Sequence, residues 1–507
     1  MTDTKQDEQD TGGSRKRPFP SALTVLAIVT VLVWIAAFFI PSGEYERNAA
    51  GNPVQGTYHR TPSPLSFGGR VSNLAMSPVN GLYGIQDPKT GQVSAENEGV
   101  LYGAVGVFLF VLAIGAFITV LFATGALDAG IGRLAYRLRG RGAVLITAIM
   151  VVFAVLGSVE GWSEETLGFY GLIVPLSLAL GYDRMVAVAT ILLSAGIGVL
   201  CSTVNPFAIG VASSAAGISI GDGIVLRLIM LVVLTTVTIA FVLRYALRVR
   251  ADPARSVVGF LPGDREVAQE AADHEPDPLT STQKAALAMT GLTFALMIFS
   301  VIPWASIISG KSDAAPYGWQ LDWSFPQLAA LFLLASVVVG LAARMSEAKL
   351  SSTIIAGCAD FISPALVVAL ARGITVIMNN AKITDTVLHT LEGAVKGSTS
   401  AVFSILVFIV NLPLAFLIPS TSGHATLVMP IMAPLAAFAN VPKSLVVTAW
   451  CAASGFMNLF VPTTAVIMGG LTLAKVGYDK YIKFLLPYLA VVFVLICGFL
   501  AVGTVIS

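Results

Sequence analysis

Charge is the scarcest property of this sequence. Of 507 residues only 12% are Asp, Glu, Lys or Arg, while 56% are hydrophobic. Soluble domains carry about 25% charged residues, so a soluble globular chain is excluded. The formal net charge is +1, which provides no basic surface for nucleic acid. Four cysteines (Cys201, Cys358, Cys451 and Cys497) lie in apolar segments without metal-ligand spacing, so neither a disulfide framework nor a zinc site is indicated. No phosphate-binding loop ending in Gly-Lys-Ser/Thr occurs, which argues against ATP drive within the chain. A His/Glu metal motif and an Asp-rich prenyl motif are missing too, so neither an enzyme nor a resident cofactor is expected.

What replaces charge is apolar length. Runs of about 20 apolar residues recur, each long enough to cross a hydrocarbon core of about 30 Å. The short alternating strands of a β-barrel are not seen. The expected fold is an all-α polytopic membrane protein made of two inverted repeats, each with a re-entrant hairpin and a broken transmembrane helix. Residues 1–20 read as a disordered cytoplasmic tail, closing on Arg15, Lys16 and Arg17. Residues 21–100 hold a first transmembrane helix, too long for a signal peptide and without its cleavage pattern, followed by a polar extracytoplasmic loop. Repeat 1 spans 101–248, with a hairpin over 142–181 and a broken helix over 185–218 interrupted at Pro206. An acidic, Pro-rich cytoplasmic linker (249–283) and scaffold helices (284–350) follow. Repeat 2 covers 351–507, with a hairpin over 401–440 and a broken helix over 444–474. Two ordinary spans in place of each hairpin would keep the same crossing parity. With hairpins counted as no crossing, there are nine spans, the N-terminus inside and the C-terminus outside a bacterial cytoplasmic membrane. Every Arg/Lys cluster then lies in the cytoplasm.

The chain is organised around GSVEGWSEET, Gly157–Thr166, which places Glu160, Glu164 and Glu165 between apolar runs. Charge in such a place is costly and needs a partner or a water-filled cavity. A shift of 259 residues lays Pro175 on Pro434, and sets this stretch against a second one, IPSTSGHAT, Ile418–Thr426. The same shift pairs Glu165 with His424, Ser163 with Ser422, Gly196 with Gly455 and Leu200 with Leu459. Paired interruptions in inverted repeats point to a substrate site at mid-membrane.

The stretches EETLGFYGLIVPLSLALGYDR, STVNPFAIGVASSAAGIS, ALVVALARGITVIMNN and PSTSGHATLVMPIMAPLA, with FFIPSGEYER after the first span, resemble the YfcC family of membrane transporters. That family is grouped with DcuC-type C4-dicarboxylate carriers and the wider ion transporter superfamily. The resemblance covers most of the chain beyond the tail. It implies a homodimer in the lipid bilayer, a scaffold domain, and a mobile domain working as an elevator. It also implies a small-molecule site between two hairpin tips and two broken helices, often coupled to sodium. The dicarboxylate/sodium symporter branch carries Ser-Asn-Thr at both tips, where this sequence has SEET and STSGH.

The expected function is a secondary active transporter for a small carboxylate or amino acid, coupled to H+ or Na+ or to counter-substrate exchange. An ion channel with paired re-entrant segments is the alternative. The substrate set comprises Arg372, Glu164, Glu165, Thr166, Asn205, Ser420, Thr421, Ser422 and His424. Arg372, in the middle of an apolar span, suits a carboxylate with its planar fork, and a permanent structural bridge competes with that role. Glu164 and Glu165 exceed what a helix cap needs and read either as proton or cation carriers or as salt-bridge partners; Glu160 is expected to sit higher, in water. His424 either titrates or hydrogen-bonds the tip backbone. The ion-coupling set is Glu165, Ser202, Thr203, Asn458, Thr463 and Thr464, around the two breaks, where freed carbonyls and hydroxyls can hold an ion or simply satisfy one another. Ser163 is expected as a cap, Asn379 and Asn380 as caps or ligands, and Asp128, Asp385 and His389 as solvated span ends.

Overall fold

The computed structural model describes residues 22–506 apart from 48–52, 55, 139, 274–276, 310–314, 396–397, 418–420 and 463. Its regular structure is almost entirely helical, as expected for a backbone that must satisfy its own polar groups within lipid. In chain order come α1 (Ala22–Ala36), α2 (Phe67–Tyr83), α3 (Val105–Ala123), α4 (Ala126–Leu138), α5 (Gly142–Glu160) and α6 (Tyr170–Ala179). Next are α7 (Arg184–Leu200), α8 (Val211–Ala216), α9 (Ile224–Ala251), α10 (Asp264–Asp273), α11 (Ser281–Val301), α12 (Trp304–Ser309) and α13 (Phe325–Ala342). The last third holds α14 (Glu347–Asp360), α15 (Ile362–Asn380), α16 (Thr384–Val395), α17 (Ser400–Leu417), α18 (Thr421–Phe438), α19 (Lys443–Asn458), α20 (Ala465–Leu473) and α21 (Tyr478–Ile506). Among the described residues, seven helices are long and apolar enough to cross a membrane: α3, α5, α9, α11, α13, α15 and α21. The chain is a multi-pass helical membrane protein.

The loop after the first span is more than a string of turns. It carries α2 and five two-residue strands. β1 (Gly43–Glu44) pairs antiparallel with β2 (His59–Arg60), and β3 (Ile85–Gln86) lies between β4 (Val93–Ser94) and β5 (Val100–Leu101). Asn73, Ser77 and Asn80 give α2 a loop-like composition, yet all three are buried. They face partners: Asn80 accepts from the Ala95 N–H at 2.9 Å, and Asn73 accepts from Asn380 at 3.1 Å. Gly81 and Gly373 let α2 and α15 touch backbone to backbone. A Cβ on Gly373 would stand 2.5 Å from the Ser77 carbonyl oxygen, and one on Gly81 would collide with the Ala369 carbonyl.

Two expectations are corrected by this packing. Asp385 is buried, not solvated: it receives Arg47 at 2.6 and 2.8 Å and the Tyr45 N–H at 2.9 Å. Asp385 is covered because the first loop folds back over α16. His389 is exposed, as expected, and its ring stacks on that of Tyr58, centroids 4.2 Å apart. Asn380 is not the cap of α15, which is Ala381; it bridges the N–H and carbonyl of Val93, and Asn379 donates to the Gly91 carbonyl. The linker, for its part, is fastened down. Asp264 in α10 takes Arg184 at 2.6 Å in a buried ion pair, and Asp183 accepts from Tyr245 and Ser256 at 2.5 Å each. Burial pushes the Asp183 carboxyl above the usual aspartate range, and those hydrogen bonds pull it back.

Gly81→Val is expected to force α2 away from α15 and to destabilise the protein by about 1–3 kcal/mol, the usual scale of overpacking. A thermal-unfolding comparison in detergent checks this; an unchanged midpoint would mean the contact is not a tight one.

Candidate functional site

A cavity of about 470 Å3 opens where four interrupted segments converge on the ends of α3, α14 and α15. The first wall is the turn after α5. That helix ends at Glu160 because Gly161 takes a left-handed conformation (φ 81°) and returns its N–H to Gly157. Only glycine fits there, since a Cβ would also stand 2.7 Å from the Asn205 amide nitrogen. Glu160, Trp162, Ser163, Glu165 and Thr166 then line the cavity. Within the turn, Glu165 accepts from the Ser163 N–H at 3.1 Å and Thr166 donates to the Ser163 carbonyl at 2.6 Å. The Ser163 hydroxyl makes no cap bond, contrary to the expectation from sequence, because its side chain faces the cavity instead.

The second wall is the interruption after α7. Pro206 has no N–H, and a single wide turn, Pro206–Gly210, restarts the helix. Asn205 caps it: its Oδ1 accepts from the Phe207 and Ala208 N–H groups at 2.9 and 3.2 Å, and its amide donates to Ser202 at 3.1 Å. Thr421 and Ser422 at the start of α18 form the third wall, and Asn458 and Thr464, either side of the break between α19 and α20, form the fourth. Opposite them stand Ile118, Asp360, Phe361 and Pro364. The cavity thus gathers Glu165, Thr166, Asn205, Thr421, Ser422, Asn458 and Thr464 from the sequence-derived set.

Other members of that set lie elsewhere. Arg372 donates through Nε to the Tyr102 carbonyl at 2.9 Å, its guanidinium 4.3 Å from the Tyr102 ring centre, and it borders a separate small crevice with Thr426 and Pro430. His424 is fully buried, bonded to the Asn411 side chain at 3.0 Å and packed edge-on against Trp450. Ser202 donates to the Val199 carbonyl and Thr203 is joined to Ser158, so neither hydroxyl lines the cavity. Ser420, Thr463 and the side chain of Glu164 lie outside the described residues. Glu160 is not in open water: it is 2% exposed and belongs to the wall. Sequence reasoning passed over Trp162 and Asp360. Trp162 was visible inside the acidic stretch; Asp360 closes a helix with no polar pattern to mark it.

The two interruptions share one design. At the first, Arg227 of α9 donates to the carbonyl of Thr203 (3.2 Å) and, in the turn that leads into its own helix, to those of Ile220 (3.0 Å) and Asp222 (2.8 Å). At the second, Tyr481 and Tyr478 of α21 donate to the carbonyls of Leu459 (2.8 Å) and Phe460 (2.7 Å). Between them α7 and α19 interlock reciprocally: Gly196 receives the Leu459 side chain, and Gly455 receives Leu200. The lining of the cavity holds Glu160, Glu165 and Asp360 and, among its described residues, no Lys, Arg or His. No group of three His, Cys, Asp or Glu among the described residues is placed to hold a metal ion.

A model of the DcuC family, described as C4-dicarboxylate anaerobic carrier, matches residues 19–505. An uncharacterized protein of Haemophilus influenzae (strain Rd) is 30% identical over 92% of this chain and 94% of its own length. Escherichia coli (strain K12) YfcC, which carries the provisional name of a basic amino acid antiporter, is 28% identical over 95% of this chain and 96% of its own. Among solved structures, Neisseria gonorrhoeae MtrF, described with a class of antimetabolite efflux pumps, superposes with a TM-score of 0.67 at 15% identity, covering 96% of this chain and 95% of MtrF. The Alcanivorax borkumensis YdaH transporter, noted for an unusual topology, gives 0.66 at 12% identity, covering 95% of this chain and 98% of YdaH. At those identities the likeness is one of fold.

Tyr481→Phe removes the donor to a buried carbonyl at the second break. It is expected to cost about 1–3 kcal/mol, the penalty for an unsatisfied buried group. The thermal midpoint should fall accordingly, and a midpoint equal to wild type would show that the carbonyl has found another donor.

Proposed function

The chain belongs to the DcuC family of C4-dicarboxylate anaerobic carriers, and on that premise we propose that it is a secondary transporter for small organic cations, basic amino acids foremost. The observation that carries this reading is the charge of the cavity. Glu160, Glu165 and Asp360 face it, and no cationic side chain among the described lining answers them. A dicarboxylate there would meet like charge on both sides, which disfavours it. An amino acid with a cationic side chain matches the acids. Its own carboxylate suits the start of α18 at Thr421 and the Trp162 indole N–H, which has no partner among the described residues. The provisional name of the YfcC relative points the same way.

The transport step in this reading is an elevator motion of two inverted repeats against a scaffold, in a homodimer in the bacterial cytoplasmic membrane. The reciprocal fit of Gly196 with Leu459 and Gly455 with Leu200 supports a two-fold relation between the repeats. The cavity meets the scaffold at Ile118 and Pro364. Those positions lie toward the ends of α3 and α15 nearest the arginine-rich, cytoplasmic loop, so the conformation fits an inward-facing state. Arg372 stands eight residues beyond Pro364, or about 12 Å farther along α15. A rising site would pass it, and its guanidinium would meet the cargo carboxylate in the outward state. Coupling to H+ or to counter-substrate fits better than coupling to Na+, because the Thr203, Leu459 and Phe460 carbonyls at the two breaks already accept from Arg227, Tyr481 and Tyr478.

The test is a thermal-shift screen of the purified protein, followed by uptake into proteoliposomes. L-Lysine, L-arginine and L-ornithine should stabilise the protein and exchange across the bilayer, and succinate and fumarate should do neither. Stabilisation by the dicarboxylates alone would overturn the cation reading, and planar-bilayer currents far above carrier turnover would replace the carrier by a channel. Glu165→Gln is expected to weaken lysine binding by roughly tenfold or more, the worth of one charge-assisted contact.

A further inference from the structure

Glu160 differs from the other acids of the cavity. It is the last residue of α5, its side chain is 2% exposed, and it forms part of the wall. Neither of its oxygens has a hydrogen-bond partner among the described residues. Two residues on, the Trp162 N–H is as deeply buried on the same wall and equally without one. Glu165, by contrast, accepts from the Ser163 backbone and is only partly covered.

The charged and titratable groups around Glu160 can be named. Glu165 stands on the same turn and Asp360 on the opposite wall. Toward α7, the Cys201 carbonyl takes the Ser158 hydroxyl one half-turn before Glu160, with the thiol buried behind. From α9 comes Arg227, whose Nη groups are committed to the carbonyls of Thr203, Ile220 and Asp222. None of these forms an ion pair with Glu160. A carboxylate buried without a counter-charge is strongly disfavoured, and a proton or a cation must compensate it.

We propose that Glu160 is the exchange site of the carrier: it holds a proton when no cargo is bound and yields that proton when a cationic cargo takes its place. The proposal rests on the cation reading above. In the step, the O–H bond of the Glu160 carboxyl breaks, its electron pair stays on the carboxylate oxygen, and the proton leaves to water in the cavity. The ammonium or guanidinium of the cargo then pairs with the carboxylate, and nothing is oxidised or reduced. One positive charge leaves the cavity for each that enters, so the protonated and the loaded forms carry the same charge through the membrane. The bare carboxylate form carries one fewer and is held back. Obligatory exchange of a proton for an organic cation follows without a second ion site.

The experiment uses the full chain in detergent with L-lysine as probe, binding followed by calorimetry and proton release by an indicator dye in weak buffer. Wild type should release about one proton per lysine bound, and its affinity should rise by roughly tenfold per pH unit wherever Glu160 starts protonated. Glu160→Gln should bind weakly, release none, and lose that pH dependence; Glu160→Asp should restore both. Glu165→Gln should bind less tightly yet still release one proton for each lysine it does bind. Lysine binding by wild type without proton release would overturn the exchange and leave the cation reading standing. Proton release persisting in Glu160→Gln would overturn the assignment to this residue. If no basic amino acid binds wild type, the cation reading fails and takes the exchange with it. Should Glu160→Gln not fold, difference infrared spectra of wild type decide: a protonated-carboxyl band must vanish on adding lysine, and a spectrum without it overturns the proposal.

Discussion

A helix that stops inside a membrane leaves carbonyls that no water will satisfy. Everything at the centre of this protein depends on how that demand is met. α7 and α19 both stop short, and in each case the long helix that follows sends side chains back to the exposed carbonyls. α9 sends Arg227, and α21 sends Tyr478 and Tyr481. The chemistry of the donors differs, a cation in one half and two phenols in the other. The result is the same: the carbonyls of Thr203, Leu459 and Phe460 are met from within the protein.

The first break also positions the cavity wall. Asn205 is fixed by capping the restarted helix, and Gly161 is fixed against Asn205, so the end of α5 is positioned from the break itself. Glu160, Trp162 and Glu165 inherit their places from that contact. The polar groups of the wall are therefore held by backbone geometry and do not depend on a network among themselves. Such a wall can keep a buried acid in place whether or not a counter-charge is beside it.

Much of this was legible in the chain, for reasons that can be stated. Acids in an apolar neighbourhood are rare enough to flag GSVEGWSEET, and Pro206 after a run of small polar residues flags a broken helix. Those signals led to Glu165, Thr166, Asn205, Thr421, Ser422, Asn458 and Thr464, all on one cavity. What composition could not convey was which polar groups are turned to one another. Arg372 reads like a ligand because its charge is costly in a span, yet Tyr102, from a distant loop, supplies both a carbonyl and a ring. Asp385 and Asn380 read like span ends until the first loop folds over them. α2 escaped for the same reason, since its asparagines look like turn residues and only their partners across the fold reveal a packed helix face. Glu160 reads as sitting higher and in water, whereas α5 runs to Glu160 itself before Gly161 turns the chain, and the side chain is buried in the wall.

The separation of Arg372 from the acids is itself informative. Had the arginine reached Glu160 or Glu165, the pair would satisfy both charges and leave the cavity neutral, with little preference for a cation and no reason to exchange a proton. Tyr102 prevents this by occupying the guanidinium from the other side, and the polar network around Asn380 anchors the loop that carries Tyr102. The packing of α2 and its loop on α15 thus has an electrostatic consequence at the acids of the cavity wall. By holding Arg372 to itself, that packing leaves the acidic wall to be compensated by whatever enters the cavity.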